Sequence, residues 1–253
     1  MSGNVRIALY LSSALLFGLQ LILALSGLPS FGEYRGPYGD LIMQAIIDLR
    51  HTPQGVAAVT FDFRGFDTLG EEFILFTAVA GALLLMRQQR GELKQRPVDQ
   101  AAGRRVPPVT DAVHATGMLM FPFTLLLGIY IVLHGHLSPG GGFQGGVLLA
   151  SAFYFVYLSG EYRDLAVYSA EHTLDVLEAA GAAGFALVAF LPWVMHEPFM
   201  QNILPLGRTG ELLSAGNLPL YNCAVGLEVG AAFLLLIAAF LRQVLVIRKG
   251  KVR

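Results

Sequence analysis

Glu228 stands in the middle of an apolar stretch, NCAVGLEVG over 222–230. A charge at the centre of a bilayer helix costs at least about 2.5–3.5 kcal/mol. Such a group must face protein or water, held either by a buried hydrogen bond or on a proton or ion route. Glu178 lies close enough to the end of another apolar stretch for its carboxylate to reach the interface, and Glu71 and Glu72 occupy the first turn of a third. Acids in a first turn gain from the helix dipole, an ordinary explanation for Glu72. A second cluster is HGHLSPGGGFQGGV over 134–147. Here Gly141/Gly145 and Gly142/Gly146 are overlapping small-xxx-small pairs that let a neighbouring helix approach. The same loose backbone at the start of a span also suits a hydrated cavity, with His134, His136 and Gln144 as polar lining at an entrance. The two readings are compatible.

Other chemistries lack their residues. Residues 140–145 satisfy G-x-G-x-x-G, but that fingerprint needs a preceding strand and an amphipathic helix in a βαβ unit, whereas apolar spans flank it here. His114, His172 and His196 have no H-E-x-x-H or C-x-x-C spacing, and His134-x-His136 adds no credible metal site. Candidate triad residues are scattered over opposite membrane faces, beyond hydrogen-bond reach. The sequence thus predicts neither an enzyme nor a bound cofactor or metal. The single cysteine, Cys223, reads as a small packing residue.

These residues are positioned by a chain that is 55% hydrophobic and 14% charged, the composition of a membrane protein. Its net charge of −1 gives no footing for nucleic acid. A span needs about 20 apolar residues, and six stretches qualify: roughly 5–27, 68–87, 114–134, 142–160, 174–195 and 219–242. The expected fold is an all-α integral membrane protein with six transmembrane helices, the first a retained span rather than a signal peptide. Basic residues cluster after the second span (Arg87, Arg90, Lys94, Arg96, Arg104, Arg105) and in the tail (Arg242, Arg248, Lys249, Lys251, Arg253). The positive-inside rule puts both segments, and hence both termini, in the cytoplasm.

The connecting segments carry signals of their own. Between the first two spans, Leu41, Ile42, Ala45, Ile46 and Leu49 fall at helical spacing, predicting a short helix at the membrane surface. Val56–Phe63 is β-prone and predicts a strand or an extended loop. Residues 88–112 are polar, basic and proline-punctuated, a linker dividing a two-span part (1–87) from a four-span part (113–253).

The motifs carry a family resemblance. HGHLSPGGGFQGGV, LPLGRTGELLSAGNLPL over 204–220 and the stretch 222–230 resemble the B subunit of Mrp-type multisubunit cation/proton antiporters, over about residues 110–245. AAVTFDFRGFDTLGE over 57–71 is similar to the C-terminal end of the large A subunit of the same antiporters and to a small membrane subunit of membrane-bound hydrogenases, over roughly 40–90. The usual antiporter carries these modules on separate chains. The resemblance implies a component of a large assembly in a bacterial or archaeal cytoplasmic membrane, among antiporter-like partners related to respiratory complex I subunits, and inactive alone. It implies an ion path for Na⁺ or H⁺ through Glu71 and Glu228, with Glu178 a further candidate. A redox-driven ion pump and a purely structural scaffold are the alternatives.

Overall fold

The computed structural model describes residues 3–28, 32, 36–86, 109–160, 165 and 170–247. The elements are α1 (Gly3–Ser26), α2 (Pro37–Arg50), α3 (Gly55–Ala58), a π-helical turn (Val59–Phe63), α4 (Gly65–Met86), α5 (Asp111–Leu133), α6 (Gly142–Ser159), α7 (Glu171–Val194) and α8 (Leu218–Ile247). Among the described residues there is no strand, and six helices, α1 and α4–α8, are long and apolar enough to cross a membrane. The basic segment over 87–108 and the tail over 248–253 lie outside the described residues, and with them most of the charges behind the orientation.

Residues 1–41 and 42–253 form two separately compact units. The first consists mainly of α1, a helix of apolar side chains whose span buries none of its residues. In the second, α8 is the central helix: it packs on α4, α5, α6 and α7, and its span is the most buried at 56%. Residues 42–86 and the four later spans therefore belong to one compact unit.

A helix forms over Pro37–Arg50 where the spacing predicts one, with Ile42 and Ile46 buried and Leu41 and Leu49 exposed. The run 56–63 is neither strand nor loop. The side-chain oxygen of Gln54 caps its start, accepting from the backbone N–H of Val56 and Ala57. Burial of Ala57, Ala58 and Phe61 fixes a helical face that the β-branched residues between them obscure. The helix then widens, and Arg64 N–H donates to the Val59 carbonyl five residues back at 2.8 Å. Because α4 already begins at Gly65, Glu71 and Glu72 stand beyond its first turn, and the helix dipole does not account for them.

Glycines set how closely the helices approach α8. A methyl carbon on Gly146 of α6 would lie 2.7 Å from Val229 Cβ and 3.0 Å from the Gly226 carbonyl, and one on Gly142 would strike Val225 and the Asn222 carbonyl. On the other side, a methyl carbon on Gly181 of α7 would lie 2.6 Å from the Glu228 backbone nitrogen. Gly145 turns instead toward Val132 of α5, so it does not share a face with Gly142 and Gly146. Gly141 is not a packing position of that kind. It precedes α6 with φ +138°, a left-handed backbone that favours glycine.

Overpacking a tight contact costs about 1–3 kcal/mol, more where only backbone can yield. Gly146→Ala and Gly181→Ala should therefore each lower the unfolding temperature of the detergent-solubilised protein. Gly70→Ala and Gly81→Ala in α4, where nothing lies within 4 Å of the added carbon, should leave it unchanged. Equal effects at all four positions would show that helix approach does not control stability.

Candidate functional site

The close approach at Gly181 seats Glu228 between α7, α8 and α4, fully buried. Its neighbours are acids. Glu72 of α4, 1% exposed, and Glu178 of α7, 4% exposed, both lie within electrostatic range of Glu228. The carboxyl groups of Glu72 and Glu228 face each other, yet their four oxygens make no hydrogen bond of ordinary geometry. Glu178 does not reach out to the interface, because its side chain is turned into the core.

The row continues at both ends. Glu71, adjacent to Glu72, is exposed, and Asp175, one turn before Glu178 on α7, is exposed as well. Inter-helix contacts fix the directions of the helices: Asn222 meets Gly142, and Gly181 and Gly184 lie opposite Glu228 and Ala224, so α7 runs against α8. At about 1.5 Å per residue, Glu72 is roughly 10 Å from the start of α4 and Glu228 roughly 15 Å from the start of α8, both counted from one end of the bundle. Glu178 is roughly 10 Å from the start of α7, counted from the other end. The order Glu71, Glu72, Glu228, Glu178, Asp175 therefore steps across the bundle. In the apolar interior the three inner carboxyls cannot all carry unbalanced charge, so protons or a cation must compensate them.

At its Glu71 end the row opens into a pocket of about 220 Å³ at the seam between residues 56–71 and the glycine-rich turn. Glu71, Thr60, Thr68, Gln144, Asn222 and the backbone of Gly140–Gly142 line it. The structure thus brings Glu71 and Gln144 together, two residues far apart in the chain. Sequence reasoning misses Asn222, although it holds the turn. Its Oδ1 accepts from Gly142 N–H at 2.8 Å, capping α6, which has no side-chain cap of its own, and its Nδ2 donates to the Leu218 carbonyl. An asparagine four residues after the start of a span is the signal that could find it.

His134 and His136 do not line this pocket. His134 stacks on Tyr130 with centroids 4.1 Å apart, its Nδ1 3.2 Å from the Tyr130 carbonyl. His136 is fully buried, and its carbonyl accepts the hydroxyl of buried Thr52. Its ring nitrogens make no hydrogen bond of ordinary geometry among the described residues, although the Glu211 and Leu212 backbone lies close enough to favour the protonated ring. Cys223 is exposed on α8 rather than packed, and among the described residues no three His, Cys, Asp or Glu side chains are grouped to hold a metal ion.

Burial pushes the His136 imidazole below its ordinary value of 6.5, and the neighbouring His134 adds to this against the Glu211 and Leu212 backbone. The unfolded chain therefore binds a proton that the folded one refuses. Stability from this residue is complete above about pH 6.5 and declines as pH falls toward the lowered value. The thermal stability of the solubilised protein should decrease between pH 7.5 and 5.5, and His136→Gln should flatten that decrease. An unchanged pH profile in the variant would remove His136 as its source.

Comparisons with known proteins agree with this architecture. Residues 112–235 match the family model described as "domain related to MnhB subunit of Na+/H+ antiporter". An uncharacterized protein of Methanocaldococcus jannaschii is 35% identical over 75% of this chain and 76% of its own length. A Rhizobium meliloti protein, named as the probable A/B subunit of a K⁺/H⁺ antiporter, is 30% identical over 72% of this chain, which spans only 20% of that relative. A Staphylococcus aureus protein with the provisional name antiporter subunit mnhB2 is 31% identical over 38% of this chain and 72% of its own length. In fold, the chain matches one in the membrane-bound sulfane sulfur reductase, an archaeal respiratory membrane complex, with TM-score 0.67, 25% identity and coverage of 95% and 98%. It also matches a chain of the Mrp complex from Dietzia, with TM-score 0.68, 20% identity and coverage of 96% of this chain and 26% of that one. The chain belongs to the family of MnhB-related Na⁺/H⁺ antiporter subunits.

Proposed function

We propose that this protein is a membrane subunit of a multisubunit monovalent cation/proton antiporter, that both its termini are cytoplasmic, and that its carboxyl row forms part of the ion path. The observation that carries the path is the continuity of Glu71, Glu72, Glu228, Glu178 and Asp175 across the bundle, with the middle three buried and no base among the described residues neutralising them. A scaffold needs no such row, because burying three acids is costly and apolar side chains would pack the same helices. Glu71 and Gln144 frame one end of the row, where an ion can exchange water for fixed oxygens. Joining the two modules in one chain keeps Glu72 and Glu228 in register, and the antiporter-like partners supply the rest of the route.

One observation favours a second reading. The likeness to the sulfane sulfur reductase chain covers nearly all of both chains. On that reading the same chain serves a redox-driven ion pump, still without holding the redox group itself.

Both readings are tested in inverted membrane vesicles containing the whole complex. Addition of NaCl alone, with no electron donor, should dissipate a preformed ΔpH; proton movement that requires an electron donor would favour the redox reading. In assembled complexes Glu228→Gln and Glu72→Gln should slow Na⁺-dependent proton movement on the order of a hundredfold, the low end for loss of a positioned proton-transfer group. Wild-type rates in both variants would leave the scaffold role standing.

A further inference from the structure

A cavity of about 490 Å³ lies away from the carboxyl row, where α4 begins and α7 has just ended. It thus sits level with the ends of two apolar spans. Two guanidinium groups, Arg50 and Arg64, line it. Arg50 is fixed: its Nε lies 2.7 Å from Asp62 Oδ2, its guanidinium sits 5.3 Å over the Phe63 ring, and its side chain keeps 31% exposure. Asp62, the acid in the wall, is itself committed, since Asn202 Nδ2 also donates to its Oδ2. Arg64 is exposed and paired with the equally exposed Asp67. An exposed pair of this kind is worth little and exchanges readily for a better anion.

The apolar half of the site continues from the cavity rim. Phe66 packs edge-on against Phe199 (centroids 6.5 Å), Phe199 against Phe190 (4.9 Å), and Phe190 lies 6.3 Å from Trp193. All four rings are exposed, and Phe190 and Trp193 lie on the last turns of α7 inside its span. A pair of cations beside exposed aromatic rings at the ends of two apolar spans, with Phe190 about one turn inside the span, matches a phosphate with an acyl chain entering alongside the rings.

We infer that this cavity binds an anionic phospholipid, its phosphate between Arg50 and Arg64 and an acyl chain along Phe66, Phe199 and Phe190. The lipid would brace the loop after α7 against the start of α4, the same seam that Asp62 and Asn202 close.

The test is native mass spectrometry of the intact complex and of the full chain in detergent, after exchange into defined lipid. Phosphatidylglycerol should be retained over phosphatidylcholine of the same acyl chains. Arg64→Gln, which leaves the Arg50–Asp62 pair untouched, should lower retention about fivefold, as expected for one arginine at an anionic surface. Phe66→Ala with Phe199→Ala should lower it while sparing any binding of inorganic phosphate. Equal retention of the two lipids, or unchanged retention in Arg64→Gln, would overturn the inference. So would displacement by inorganic phosphate at the same concentration as lipid, or a cross-link from position 66 to a partner protein in the intact complex, which would identify a protein occupant.

Discussion

The structure depends on the contact of α8 with bare backbone on two sides. Gly142 and Gly146 of α6 and Gly181 of α7 bring main chain against main chain around Glu228, at separations no side chain allows. In a membrane, helices gain little from hydrophobic association, so close packing of this kind supplies much of the cohesion. It also removes the space through which lipid or bulk water could reach the Glu228 carboxyl. The same glycines that hold the bundle together therefore create the electrostatic difficulty at its centre.

That difficulty is what makes the site a candidate for transport. A solitary buried acid can be stabilised by a single hydrogen bond, but Glu228 faces Glu72 and neighbours Glu178 instead. Any change in the protonation or cation occupancy of one of them alters the cost of charge at the next. Coupling of this kind lets a charge move along a row without being released into the apolar surroundings. The polar pocket at Glu71 and Gln144 and the exposed Asp175 give the row an opening toward each face of the bundle.

Much of this is legible in the sequence because the membrane imposes simple rules. Six apolar stretches of sufficient length become six helices, and the cost of a mid-span acid correctly marks Glu228 as facing protein. What cannot be read is helical phase between elements distant in the chain. Glu71 and Glu72 are adjacent, and only the packing of α4 on α8 decides that Glu72 points inward while Glu71 opens to the pocket. The same limit hides the role of Asn222, whose partner Gly142 is 80 residues away. The turn at 59–63 is obscured because valine and threonine suit strands, whereas the buried Ala57, Ala58 and Phe61 and the cap from Gln54 settle a helical path.

On the ion path proposed above, Glu228 exchanges a proton for a cation within the carboxyl row. Infrared difference spectra of the purified complex, recorded with and without Na⁺, test it most directly. A protonated carboxyl band should decline when Na⁺ is added and be missing in Glu228→Gln. A carboxyl spectrum indifferent to Na⁺, or a Na⁺-sensitive band that survives unchanged in Glu228→Gln, would contradict it.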